Sequence, residues 1–412
     1  MSGMYLSVLQ YLKRHRGDLL AVALVSILIG ILLSLDLGAS VRNLDGNEGR
    51  LRVKAKVLAV DNTMLVRHGV LYAGNQNLGI EILSGKFKGR RCTALNLLRS
   101  QMELDKIFVP GDIILASVLP ASASGEKMEA LAQDHYRVHH ELWLLLLFTV
   151  FLLLFGGFTG LKALLTFLFT CALVWKVLIP LFLTGHDPVW LSLAAVCVLC
   201  AVIIYSVAGV GRKGQTAFLG AFLGVLASCL MAKLFTELLH VNAATMPRSQ
   251  ALFFAGYEFL DLTGLFIGAL FLASSGAVMD LAMDVAAGMN ELVLHKPGIS
   301  RKELLKSGLA IGRAVVGTMT TTLLLAYTGG YLTLMMSFTA EGVQMLDFFN
   351  YPYVVPEIVK TMVGSMGLVL VAPLTAVAGC WILPRNPIFS SSGEKMTAEK
   401  GNNPSPSSAE DL

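Results

Sequence analysis

From residue 139 onward the chain is a succession of long apolar runs separated by short polar links. A bilayer hydrocarbon core takes about 20 apolar residues as a helix. By that measure Leu19–Leu35, Glu141–Phe158, Leu161–Leu183, Pro188–Val210, Gln215–Leu239, Asp261–Met283, Leu309–Phe338 and Lys360–Leu383 predict about eight spanning helices. Between the first and second runs the pattern changes. In LRVKAKVLAV, Leu51, Val53, Ala55 and Val57 alternate with Arg52, Lys54 and Lys56, the period of a half-buried strand. NLGIEIL and DIILASVL repeat the pattern, and Asp61-Asn62, Gly74-Asn75, Gly85 and Pro110-Gly111-Asp112 supply turns. A small five-stranded barrel of the OB or SH3 sort fits. The expected fold class is therefore an α-helical polytopic membrane protein of about eight transmembrane helices with a small extracytoplasmic β-barrel-like domain. Residues 1–36 form a cytoplasmic N-terminus and signal-anchor helix, 37–138 the β domain, 139–384 a seven-helix membrane domain, and 385–412 a disordered cytoplasmic tail rich in Ser, Asn, Pro and Lys.

Composition agrees: 55% of the 412 residues are hydrophobic and 15% charged, which excludes an ordinary soluble protein. The net charge of +4 implies no nucleic acid; in a membrane protein the placement of basic residues says more. Lys13, Arg14 and Arg16 precede the first helix. Threading on puts Lys162, Arg212, Lys213, Lys296, Arg301, Lys302, Lys306 and Arg385 on that same side, against Arg248 in the opposite short loops. Those clusters mark the cytoplasmic face, so both termini are cytoplasmic in a multi-pass protein of the cell membrane. LSLDLGAS puts Leu37 at the −3 position for cleavage after Ala39, poor for a signal peptidase site, so the first helix is retained. Five of the six cysteines lie in apolar runs, including the Cys197-x-x-Cys200 pair, and read as small buried hydrophobes rather than redox groups. The β segment is basic through residues such as Arg52, Lys54, Lys56, Lys88 and Arg91, a solvated face beside anionic headgroups before it is a specific polyanion site.

The candidate chemistry is acidic. At about 100° per residue, Ala269, Ala273, Gly276, Asp280, Asp284, Ala287 and Glu291 share a stripe roughly 80° wide. Small residues admit another backbone, and ionisable groups near lipid turn toward protein or a watery cavity, so the stripe is expected to face protein. Asp280 lies about 28 Å along a helix entering at Asp261. Arg313 lies about one turn into the next helix, sharing a face with Gly317, Thr320, Thr328 and Tyr331. An Asp280 or Asp284 pair with Arg313 is the expected contact, either a clamp or part of a relay. Two acids on one helix do not match an intramembrane aspartyl protease, whose carboxylates must share a proton. His135, His139 and His140 with Glu141 have zinc-compatible spacing but no second ligand cluster, so they read as interfacial anchors. Basic residues after Gly160, Gly211 and Gly312 hint at a parallel repeat, while Gly329-Gly330 and the Pro352/Pro356 loop permit broken backbone.

DLTGLFIGALFLASSGAVMDLAMDVAAGMNEL from Asp261, GLAIGRAVVGTMTTTLLLAYTGG from Gly308 and GRKGQTAFLGAFLG from Gly211 resemble the YibE/F family of bacterial multi-pass membrane proteins. The pieces GNQNLGIEILSGKFKG and PGDIIL are also similar to its pattern. The chain departs from it at TMTTTLLLAY, where Thr321 stands in place of an Asn. The resemblance implies a topology, not a substrate. The expected function is a permease or ion-coupled transporter with Asp280, Asp284, Glu291, Arg313, Thr320, Thr321 and Tyr331 along the pathway. No catalytic residue, metal or cofactor is expected, and no nucleotide-binding motif is present. The expected partners are the lipid bilayer, a small solute or ion, and a second copy or another protein through the extracytoplasmic domain. The competing reading is a non-transporting scaffold whose basic outer domain recruits a partner.

Overall fold

The computed structural model describes residues 16–35, 51–119 and 128–384. The expectations for Lys13, Arg14, Leu37, Arg385 and the C-terminal tail lie outside these residues. The chain divides into two compact units, residues 42–155 and the remainder.

The first unit is a small barrel followed by the start of a long apolar helix. Strands β1 (Leu51–Asp61), β2 (Leu65–His68), β3 (Leu71–Ile82), β4 (Arg91–Arg99), β5 (Ile113–Val118) and β6 (Glu129–His135) form one sheet. β1 pairs antiparallel with both β3 and β5, and a parallel β4–β6 pairing closes the ring. That order, β1-β3-β4-β6-β5, is the connectivity of an OB-type barrel; β2 is a hairpin extension on β3. The alternation in β1 is realised, with Val53, Ala55 and Val57 buried beside Ile80, Ile114 and Phe108, while Leu51 at the strand's open end stays exposed. Where β1 ends, Gln76 of β3 is fully buried and fully bonded. Its Nε2 donates to the Asn62 side chain (2.8 Å) and the Phe108 carbonyl (2.9 Å), and its Oε1 accepts from Asn96 Nδ2 (2.9 Å) and the Phe108 N–H (3.1 Å). Satisfying every polar atom makes such burial tolerable, and here it pins the β4–β5 connection to the barrel.

Helices α1 (Arg16–Ser34), α2 (Val138–Leu173), α3 (Ile179–Leu183), α4 (Pro188–Ala208), α5 (Arg212–Leu238), α6 (Ser249–Phe254), α7 (Leu262–His295), α8 (Arg301–Gly330), α9 (Leu332–Ala340), α10 (Met345–Asn350) and α11 (Val354–Ile382) complete the chain. Among the described residues, seven helices are long and apolar enough to cross a membrane. The segments expected as separate spans over 141–158 and 161–183 run on as one stretch of 46 residues, Val138–Leu183. The departure from helix falls at Gly157, inside the first expected segment and not at the expected link 159–160; its φ of 50° and ψ of −126° leave the helical region, a combination open to glycine alone. Other boundaries move as well: α7 runs on to His295 rather than Met283, α8 spans Arg301–Gly330 rather than Leu309–Phe338, and α11 starts at Val354 rather than Lys360, so that Pro352 precedes it and Pro356 sits in its first turn, where a missing N–H costs nothing.

Local sequence places the helix starts. Asp187 accepts the N–H groups of Val189 (2.9 Å) and Trp190 (3.2 Å) ahead of Pro188, Asp261 accepts that of Gly264 (2.9 Å), and Ser300 that of Glu303 (3.2 Å). The bundle's core is α5, α7 and α11, with Phe271, Val278, Leu281, Val285 and Met289 of α7 buried. Gly220 and Gly224 of α5, a G-x-x-x-G pair, let α11 approach closely: an added Cβ at Gly220 would lie 2.1 Å from Thr375 Oγ1, and one at Gly224 2.8 Å from Val371. Helix α1 joins the bundle through Val25 and Leu32, packed near Phe169 and Leu173, and through an ion pair of Asp18 with the nearly buried Lys162 at 2.8 Å.

Candidate functional site

The stripe of α7 is continuous, but it does not face this chain's core. Ala269, Ala273, Gly276, Asp280, Asp284 and Glu291 are exposed and Ala287 is half-buried, while the opposite face of α7 is buried in the bundle's core. The expectation that the stripe packs against the chain's own helices is therefore corrected: apolar Phe271, Val278 and Leu281 win the interior because burying a carboxylate costs far more than leaving small residues uncovered.

The expected ion pair is also not formed. Among the described residues neither Asp280 nor Asp284 is within salt-bridge reach of Arg313, whose Nε donates to the Leu309 carbonyl of its own helix (3.3 Å). The reason lies in how α7 and α8 meet. Gly288 packs on Ile311, and Gly308 on Met289; at 100° per residue Arg313 is about 200° round from Ile311 and turns away from α7. The connection of the two helices is tied instead by Lys296 and Glu303 (2.7 Å).

Helix α8 is unusual in a second way. It is as little covered as the stretch Val138–Leu183, yet it is the least apolar of the seven long helices. Its exposed residues include Arg313, Gly317, Thr318, Thr321, Thr322 and Thr328, and the threonine hydroxyls donate only to carbonyls of their own helix. Thr320 differs: its Oγ1 is buried without a hydrogen-bond partner.

Toward the Gly330 end α8 and α7 frame a cavity of about 730 Å³ whose walls include Phe266, Ala269, Tyr327, Tyr331, Glu357 and Lys360. Glu357 and Lys360 pair at 3.2 Å on the first turns of α11. The Tyr331 hydroxyl meets Thr361 Oγ1, which in turn donates to the Glu357 carbonyl (2.7 Å), and the Tyr327 ring lies against Gly364. At the other end of the same helix pair a crevice of about 440 Å³ is lined by Gly288, Glu291, His295, Ser307 and Ile311. The acidic stripe joins the two: Ala269 borders the cavity, Asp280 and Asp284 follow, and Glu291 lines the crevice. Of the expected site residues, Tyr331 and Glu291 sit in these two spaces, Asp280 and Asp284 between them, and Arg313 and Thr321 on the exposed side of α8. Tyr327, Glu357 and Lys360 are absent from the expected set. Their signal is a Glu-x-x-Lys pair at the start of the last apolar run, one helical turn apart.

No curated protein and no solved structure matches this chain. A family model does, the one described as YibE/F-like protein, over residues 144–385. That span holds the whole of α7, α8 and α11 and more than half of the 412 residues; the chain belongs to the YibE/F-like family.

Proposed function

We propose that this is a multi-pass protein of the cell membrane, with both termini cytoplasmic, that acts as a permease or ion-coupled transporter. Its pathway runs along the α7 stripe from the cavity at Tyr331, on the extracytoplasmic side, to the crevice at Glu291. The observation that carries the reading is the unbroken line of small and acidic residues connecting two spaces at opposite ends of one apolar helix. Carboxylates on a helix otherwise suited to lipid mark ion or solute paths far more often than ordinary structure. The Glu357–Lys360 pair and the tyrosines give the outer space polar groups of both signs for holding a small solute.

Cysteine accessibility in sealed vesicles tests this. Introduced singly, Gly276→Cys and Ala273→Cys should react with a water-soluble thiol reagent about tenfold or more faster than Trp175→Cys, an exposed apolar position on another helix, because a solute path is wet and lipid is not. Equal, negligible labelling would remove the pathway. Labelled cysteines together with undiminished cellular function in Asp280→Asn and Asp284→Asn would instead favour the scaffold reading, in which the outer domain recruits a partner and the helices anchor it.

A further inference from the structure

The charges left over by the bundle come in complementary sets. Asp280 and Asp284 are exposed on α7, Arg313 is exposed on α8, and among the described residues none has an ionic partner. Their levels match. Because Gly288 of α7 packs on Ile311 of the antiparallel α8, Asp284 lies about 6 Å and Arg313 about 3 Å beyond that contact in the same direction, a difference shorter than an arginine side chain. They do not meet within one chain, because Arg313 turns away from α7. A rotation axis along the membrane normal carries each copy of a protein to the same depth, so the acids of one copy are level with the arginine of another.

The uncovered surface around them is built for protein rather than lipid. Ala269, Ala273 and Gly276 leave a shallow trough on α7 that a second copy can roof over without filling, and the exposed side of α8 carries threonines and Gly317 where lipid would select large apolar groups. The contrast with α1 and with Val138–Leu183 is direct: those are also sparsely covered, but they expose leucine, isoleucine and phenylalanine.

We propose that a second copy of this chain packs on the face formed by α7 and α8, with Asp284, supported by Asp280, paired to Arg313 of the second copy. The contact is through the helical bundle and does not involve the β domain. It stands whether or not anything is transported; if a solute does pass along the stripe, the second copy supplies the opposite wall.

The test is a charge swap between copies of the full chain, carrying two different tags and reconstituted in lipid nanodiscs. The unaltered chain should associate with itself. Asp284→Arg alone, which sets arginine against arginine, and Arg313→Asp alone, which sets acid against acid, should each weaken self-association about tenfold or more. Mixed together the two variants should recover it, because the arginine introduced in one copy then meets the aspartate introduced in the other, while the remaining contact is native. Thermal melts of each variant check folding, and Asp284→Asn, which removes charge without reversing it, should give an intermediate loss. A monomeric unaltered chain, association indifferent to both substitutions, or two folded variants that fail to recover association on mixing would each overturn the proposal.

Discussion

Single side chains in this protein are governed by whether each charge finds a partner. Asp134 of β6 is the clearest case outside the apolar helices. Burial pushes its carboxyl up, but the Lys106 ammonium, the His135 N–H and Arg137 outweigh that and hold it below the usual carboxylate range. A carboxylate with a depressed folded value stabilises the fold above its unfolded pKa of about 3.9 and loses that contribution as pH falls through and below it. The β barrel's melting temperature should therefore drop between pH 6 and pH 3, and Lys106→Met should lower it at pH 6 while flattening the drop, as read by circular dichroism. An equally steep drop in Lys106→Met would mean that other groups carry the acid sensitivity. The acids of α7 were readable in the sequence as a stripe, because 100° per residue fixes which side chains share a face. Which way that face points was not readable. It depends on Phe271, Val278 and Leu281 outcompeting it for the interior, a choice made jointly by α5 and α11. Gln76 was opaque for the same reason: three bonds from loops and one from Asn96 of the facing strand make it a core residue, and nothing in GNQNLG foretells them.

Among the elements, apolar length predicted the long helices and alternation predicted the barrel's inner face, since both are local properties of the chain. Joins were harder. The link expected at 159–160 is helical, and the one non-helical residue within the run of 46 is Gly157, inside the first expected segment. A straight helix of that length would reach about 69 Å, over twice a 30 Å core. Because φ of 50° with ψ of −126° excludes side chains, Gly157→Ala should destabilise the protein by about 1–3 kcal/mol and Gly157→Val by more. Adjacent Gly156→Ala should be neutral or slightly stabilising. Thermal melts of the three variants settle the order; a Gly157→Ala as stable as the parent would show that the backbone there is free to be helical.

At the scale of the whole molecule, two compact units with separate apolar cores should unfold as two events. Calorimetry should resolve them, with Gln76→Leu, which strands the Phe108 N–H and Asn96, lowering only the barrel's transition by about 2–3 kcal/mol. Gly220→Leu, which drives a side chain into Thr375, should lower only the bundle's by about 1–3 kcal/mol or more. Both substitutions shifting one shared transition would show a single cooperative unit instead. The clasp between Asp18 and Lys162 adds an aspect of time. Its two ends lie 144 residues apart in the chain, and at roughly 5–20 residues per second a ribosome needs about 7–30 s to pass from one to the other. The first helix is thus synthesised well ahead of the residue that ties it down, and its final seating in the bundle belongs to a late step of biogenesis, after the entire barrel has left the ribosome.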